Sequence, residues 1–258
     1  MKNLFPILFV VLLACSSTNP PEAIDSDLTV NLNDYKLIWN DEFNGKSVDT
    51  TKWNYRAEGT VRNYGIVSRE SIELDGHGHV VIKVTKDRDG KYYIGELGTQ
   101  GIFETTYGYF ECRAKMNQKI GAHVAFWLQS PTLGKTGLPA QDGAEIDIFE
   151  YHRKTPSIVY HNLHWGGYGI NHKTIGASIS CPDIDTSYHT FGLKWTKENY
   201  IFYIDGKKTW TTTTAISQRS EYLILSTELT GWGGDPSLSE FPDSVLFDYV
   251  RVYKSIKS

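Results

Sequence analysis

Past residue 35 the apolar residues fall on alternate positions over short runs, and the runs break at Gly, Asp, Asn or Pro. A period of two belongs to an extended chain, whose side chains alternate between faces; a helix would repeat every 3.6 residues or so. The alternation predicts strands over 80–84, 107–116, 124–128, 158–165 and 246–253. Two hairpins are predicted where Asp89-Gly90 and Asp205-Gly206 separate such runs, because that pair tolerates positive φ. The chain has no internal repeat and no second domain boundary. Many short strands without alternating helices imply an all-β sandwich rather than a parallel α/β sheet.

The start of the chain breaks this pattern. Lys2 precedes an apolar run from Leu4 to Ala14, interrupted only by Pro6. That run is too short to cross a hydrocarbon core, which takes roughly 20 helical residues, so it reads as an export signal over 1–14. It ends in Leu12-Leu13-Ala14-Cys15, which resembles a bacterial lipobox with Cys15 as the lipidated residue. Ser16 and Ser17 follow with no Asp, which points to the outer membrane or cell surface. Residues 15–33 are rich in Ser, Pro, Asn and Asp and fit a flexible linker; 34–258 form the folded domain. Export would permit a disulfide between Cys112 and Cys181, whereas Cys112 alternates with Phe110, Ala114 and Met116 as an ordinary core position; the sequence leaves their pairing open.

Composition narrows the class. The 258 residues are 40% hydrophobic, enough for a packed core and against wholesale disorder. A net charge of −4 argues against a nucleic-acid binder. The 7 Trp, 16 Tyr and 11 Phe suit strands, and their flat faces also suit sugar rings.

The sharpest chemistry lies in Glu145-Ile146-Asp147-Ile148-Phe149-Glu150. On a helix, at about 100° per residue, Glu145 and Glu150 would stand some 140° apart. On a strand, Glu145 and Asp147 share a face, while strict alternation puts Phe149 there and Glu150 opposite. One extra residue, a β-bulge, returns Glu150 to the face of the other two. Three carboxylates on one face repel each other, so the arrangement calls for a chemical task.

This segment resembles the signature of glycoside hydrolase family 16 in its bulge-carrying form. The resemblance extends to 37–45, to Tyr107–Arg113, to 125–128, to Tyr188–Trp195 and to 247–253, in the family's order. It implies a concanavalin A-like jelly roll of two antiparallel sheets with a concave cleft, and a retaining endo-β-glucanase of the laminarinase or lichenase kind. By position, Glu145 would be the nucleophile and Glu150 the general acid and base, with a pKa raised by its negative neighbours. Asp147 would hydrogen-bond Glu145 and tune the pair.

Strand alternation places His123 and Trp127 on one face, with Ala125 and Gln129, and Asn162 and His164 on another. These four, with Trp195 and Trp232 as sugar platforms, are the expected substrate-binding residues. Many glucan-cleaving relatives have Trp where this chain has His123, which leaves room for another sugar. The resemblance also raises a structural calcium ion, with Glu42 and Asp248 at the matching positions. Catalysis needs no cofactor, and the spacing of His and Cys is not that of a zinc site. The expected partner is a polysaccharide met by a monomer, with membrane contact only through the lipid on Cys15. The alternatives are a red-algal galactan as substrate (agarose, porphyran or carrageenan), a transglycosylase, or a carbohydrate-binding lipoprotein without activity.

Overall fold

A computed structural model describes residues 30–239 and 241–256; the export signal expected over 1–14 and the lipidation expected at Cys15 lie outside them. Two sheets pack face to face as a jelly-roll sandwich, one of eleven strands and one of seven. Pairing is antiparallel throughout, apart from Gly65–Val67 beside Tyr92–Ile94. Of the helix among the described residues there is a single α turn, Pro139–Asp142, and three 3-10 turns. The predicted strands appear as Val80–Lys86, Gly108–Lys115, His123–Gln129, Ile158–Trp165 and Asp243–Ser255. Both hairpins form. Gly90 has φ 84°, and Asp205 and Gly206 have φ 51° and 72°, the left-handed backbone that an Asp-Gly turn provides.

The linker's last residues already belong to the folded body. The Val30 N–H donates to the Gly206 carbonyl, and Asn31 caps a 3-10 turn over Leu32–Asp34.

The core lies between the sheets. Phe110, Cys112 and Ala114 from the larger sheet meet Val124, Phe126 and Leu128 from the smaller. The odd-numbered residues of His123–Gln129 therefore turn away from the core, onto the open face. That face carries the cleft. Cys112 and Cys181 are both buried and both free.

Candidate active site

The cleft floor is built from four neighbouring strands: Tyr222–Glu228, His123–Gln129, Glu145–His152 and Ile158–Trp165. The acidic strand carries the bulge. Its register runs Phe126 to Phe149 and then Trp127 to Asp147, so one partner step spans two residues and Ile148 is extra. On the other side Asp147 pairs with Asn162 and Glu150 with Tyr160, skipping the same stretch. The displaced Phe149 goes into the core, its ring 4.2 Å from that of Phe191. Such burial contributes about 1.5–3 kcal/mol and opposes a slip back to strict alternation. Glu145, Asp147 and Glu150 consequently line one open cavity of about 290 Å³, with His123, Trp127, Gln129 and Tyr168.

Glu145 accepts from Gln129 Nε2 at 3.1 Å and from the Tyr168 hydroxyl, both through Oε2. Burial raises its pKa to about 7; repulsion from Glu150 and Glu228 adds to this and the two hydrogen bonds oppose it. Gln129 is itself fixed, its Oε1 accepting from Arg56 at 3.2 Å and from Tyr222 at 2.5 Å. Asp147 is held well above the usual carboxylate range by burial and by repulsion from Glu150, Glu145 and Glu228. It was expected to hydrogen-bond Glu145, yet its buried Oδ2 has no hydrogen-bond partner and lies 3.4 Å from His164 Nε2.

Glu150 departs from expectation in the other direction. Burial pushes its carboxyl up, but His123, with Nε2 2.9 Å from Oε1, and the Asn162 amide outweigh that and leave it below the ordinary value. The negative neighbours were expected to dominate. They do not, because a histidine stands against the carboxylate, and His123 is raised in turn by Glu150 despite its burial.

The other predicted cleft residues divide. Trp127 lies in the floor, its Nε1–H donating to Ser226 Oγ at 3.1 Å and its ring 5.2 Å from the Arg56 guanidinium. His164 stacks on His172, with 2.9 Å between Nδ1 and Nε2. Trp232 is 38% exposed and sets its ring against His123, His152 and Tyr160 beside Glu150. Trp195 is not a cleft residue. It sits on the larger sheet in alternation with Phe191 and Leu193, 1% exposed, and its Nε1–H donates to the Ser217 carbonyl.

The two carboxylates raised as calcium ligands are each paired with an arginine. Glu42 is clamped by Arg251 at 2.8 and 2.9 Å, and Asp248 pairs with Arg113. Each carboxylate already has its counter-charge, so neither is left to help complete a shell of 6–8 oxygens.

Several functional groups escaped the sequence reading. Tyr168 sits in a glycine-rich loop that reads only as a loop. Arg56 and Arg62 line the cleft from a distant part of the chain, both on Glu96 at 2.5 Å, with Arg62 also 3.3 Å from Glu228. Glu221 is fully buried behind the acidic strand, where its Oε1 accepts from the Ala144 N–H at 2.9 Å. No local spacing announces any of these, because their meaning depends on pairing across the sheet.

Comparison with known proteins agrees with this geometry. Residues 62–251 match the family described as Glycosyl hydrolases family 16. The chain is 31% identical over 242 residues to a keratan-sulfate endo-1,4-beta-galactosidase of Sphingobacterium multivorum, covering 88% of this chain and 57% of that one. It is 27% identical over 278 residues to a beta-glucanase of Rhodothermus marinus, covering 97% and 94%. It spans only 38% of a glucan endo-1,3-beta-glucosidase A1 of Niallia circulans, at 29% identity over 84% of this chain. Among solved structures, a laminarinase from Flavobacterium sp. UMI-01 superposes with a TM-score of 0.71 at 28% identity, covering 85% of this chain and all of that one.

Proposed function

The chain belongs to glycosyl hydrolase family 16, and from that membership we propose that it is an endo-acting, retaining hydrolase of a neutral β-linked glycan. A β-1,3- or mixed-linkage β-1,3/1,4-glucan is the first choice. The observation that carries the reading is the bulge at Ile148, which turns Glu145 and Glu150 to the same side of an open cleft. Retention needs two carboxyl groups about 5–5.5 Å apart, and inversion a wider gap that admits water.

In this reading Glu145 attacks the anomeric carbon while Glu150 protonates the departing oxygen, giving a covalent glycosyl-enzyme. Glu150 then takes a proton from water, which displaces Glu145. Attack requires Glu145 ionised and a proton available at Glu150. Tyr168 and Gln129 favour the first by donating to Glu145. His123 is placed to supply the second: its Nε2 lies 2.9 Å from Glu150 Oε1, and its proton passes to Glu150 as the leaving oxygen approaches.

Neutrality of the substrate follows from the cations of the cleft. Its two arginines, Arg56 and Arg62, are both engaged by Glu96, with Glu228 beside Arg62, and three further carboxylates face the substrate. A sulfate ester would find neither arginine free to pair with it. That favours glucan or agarose over porphyran and carrageenan. A galactan remains the second reading because His123 occupies a position where many glucan-cleaving relatives carry Trp, and because one relative is named as a galactosidase.

The test is reducing-sugar release from laminarin, lichenan, barley β-glucan, agarose and porphyran, with Glu145→Gln as control. Binding without release by the unmutated chain would refute the hydrolase, and an inverted first product by NMR would refute the double displacement. Preferred release from porphyran would refute the charge argument. Anchoring through a lipid on Cys15 is part of the same proposal, for an enzyme acting on polymer outside the cell; loss of fatty-acid labelling in Cys15→Ala tests it.

A further inference from the structure

A bulge has to dispose of the backbone groups it removes from the ladder, since an unpaired buried carbonyl carries a desolvation cost. Between the Asp147–Asn162 and Glu150–Tyr160 pairs, the acidic strand faces only His161. The His161 side chain points away from the cleft and is fully buried. Its Nδ1 lies 2.6 Å from the Ile148 carbonyl oxygen, the carbonyl of the extra residue. Its Nε2 lies 2.9 Å from Thr209 Oγ1, on the strand Lys207–Thr212 of the opposite sheet. The ring packs 4.8 Å from Phe202.

These contacts fix the tautomer. A carbonyl oxygen only accepts, so Nδ1 carries the hydrogen and donates; Nε2 then has a lone pair and accepts from the Thr209 hydroxyl. Burial pushes the imidazole down to about 4, so it stays neutral over the working pH range. The ring is a strut between the sheets, with one end on the bulge and the other on Thr209.

We propose that His161 is the positioning residue of the active site, holding the Ile148 carbonyl so that the bulge keeps Glu150 on the cleft face opposite Glu145. It touches no substrate and moves no proton. The inference rests on the proposed hydrolase reading, with Glu150 as its acid and base. Without the strut, the Ile148 carbonyl is left unpaired in the core, and the bulge relaxes to re-satisfy it, which shifts Glu150 from its place opposite Glu145. A misplacement of about 1 Å already costs on the order of 10²-fold in rate.

The test compares His161→Leu, His161→Asn and Thr209→Val in the full chain. Substrates are laminarin, or whichever polysaccharide the panel identifies, and a dinitrophenyl glycoside of the same sugar, whose leaving group needs no acid. His161→Leu should lower kcat on polysaccharide by about 10²-fold with KM within a few-fold. Formation of the glycosyl-enzyme from the dinitrophenyl substrate, read as the burst of dinitrophenol, should be largely kept. Azide, which replaces the base-activated water, should restore its turnover. His161→Asn, whose amide nitrogen falls near the place of Nδ1, should recover most of the polysaccharide activity. Should His161→Leu fail to fold, Thr209→Val, which loosens the strut without removing its donor, should show a smaller loss of the same kind. Wild-type rates in folded His161→Leu would overturn the proposal. An equal loss on both substrates, or a folded His161→Asn no better than Leu, would reduce His161 to a packing residue and overturn it too. Glu150→Ala runs alongside: if that variant cleaves polysaccharide normally, the hydrolase reading falls, independently of His161.

Discussion

Glu221 offers the most direct check on the electrostatics behind the cleft. It is a carboxyl group with no exposure at all, accepting from the Ala144 N–H with one oxygen and with its Oε2 unpartnered. Burial raises its pKa to about 8, so it is protonated at neutral pH. In the unfolded chain it titrates near the ordinary 4.5. The folded form thus binds the proton more tightly, and its stabilising effect is complete below 4.5 and lost as the pH climbs through 8. From 4.5 to about 8 the difference corresponds to on the order of 5 kcal/mol, at about 1.4 kcal/mol per pH unit. Glu221→Gln keeps the acceptor for Ala144 and removes the titration. The variant should match the wild type at pH 5 and exceed it progressively towards pH 9, by up to about 5 kcal/mol. In a domain of this size that is about 10–20 °C in Tm. Glu145 and Asp147 are raised too and weaken the wild type over the same range. They remain in the variant, so the difference between the two proteins isolates Glu221. Denaturant melts at pH 5, 7 and 9 read it. Parallel stability curves for the two proteins would refute the assignment of a buried neutral acid.

Three other outcomes are expected. Tyr168→Phe removes a donor that lowers Glu145; Glu145 then ionises at higher pH, and the acid limb of the kcat/KM profile should move upwards while the alkaline limb stays. Trp195→Ala should cost about 3–5 kcal/mol of stability by opening a core cavity, seen in denaturant melts, and leave KM of the folded protein unchanged. Trp232→Ala should do the reverse, leaving Tm within a few degrees and raising KM for polysaccharide about tenfold, the equivalent of about 1.4 kcal/mol of lost contact.

How much of this was legible follows from the range of each interaction. Strand alternation is local, so the strands, the hairpins and the need for a bulge could all be read from residues a few positions apart. The bulge was legible because Glu145 and Glu150 cannot share a face without it. Trp195 was misread because alternation says which residues share a face and not which face is the core; only the packing of its strand against Phe110 decides that. The low Glu150 pKa was missed because three acids in sequence advertise repulsion, while the neutralising His123 arrives from another strand. The arginines that pair with Glu42 and Asp248 were out of view for the same reason, being 209 and 135 residues away in sequence.

Two histidines on opposite sides of the acidic strand show how one residue type acquires opposite charge states. His123 faces a carboxylate, and an ionised acceptor favours a charged donor, so its pKa rises even in a buried position. His161 faces a carbonyl and a hydroxyl, both satisfied by the neutral ring, so burial acts with nothing charged to oppose it and the pKa falls to about 4. The first is therefore able to exchange a proton with Glu150, and the second is not able to exchange one with anything near it. A strut that titrated in the working range would loosen the bulge as the pH changed. A proton partner that stayed neutral would leave Glu150 to be recharged by solvent alone. The site needs both, and the strand order supplies them, because residues 123 and 161 come from the two strands that flank the bulge.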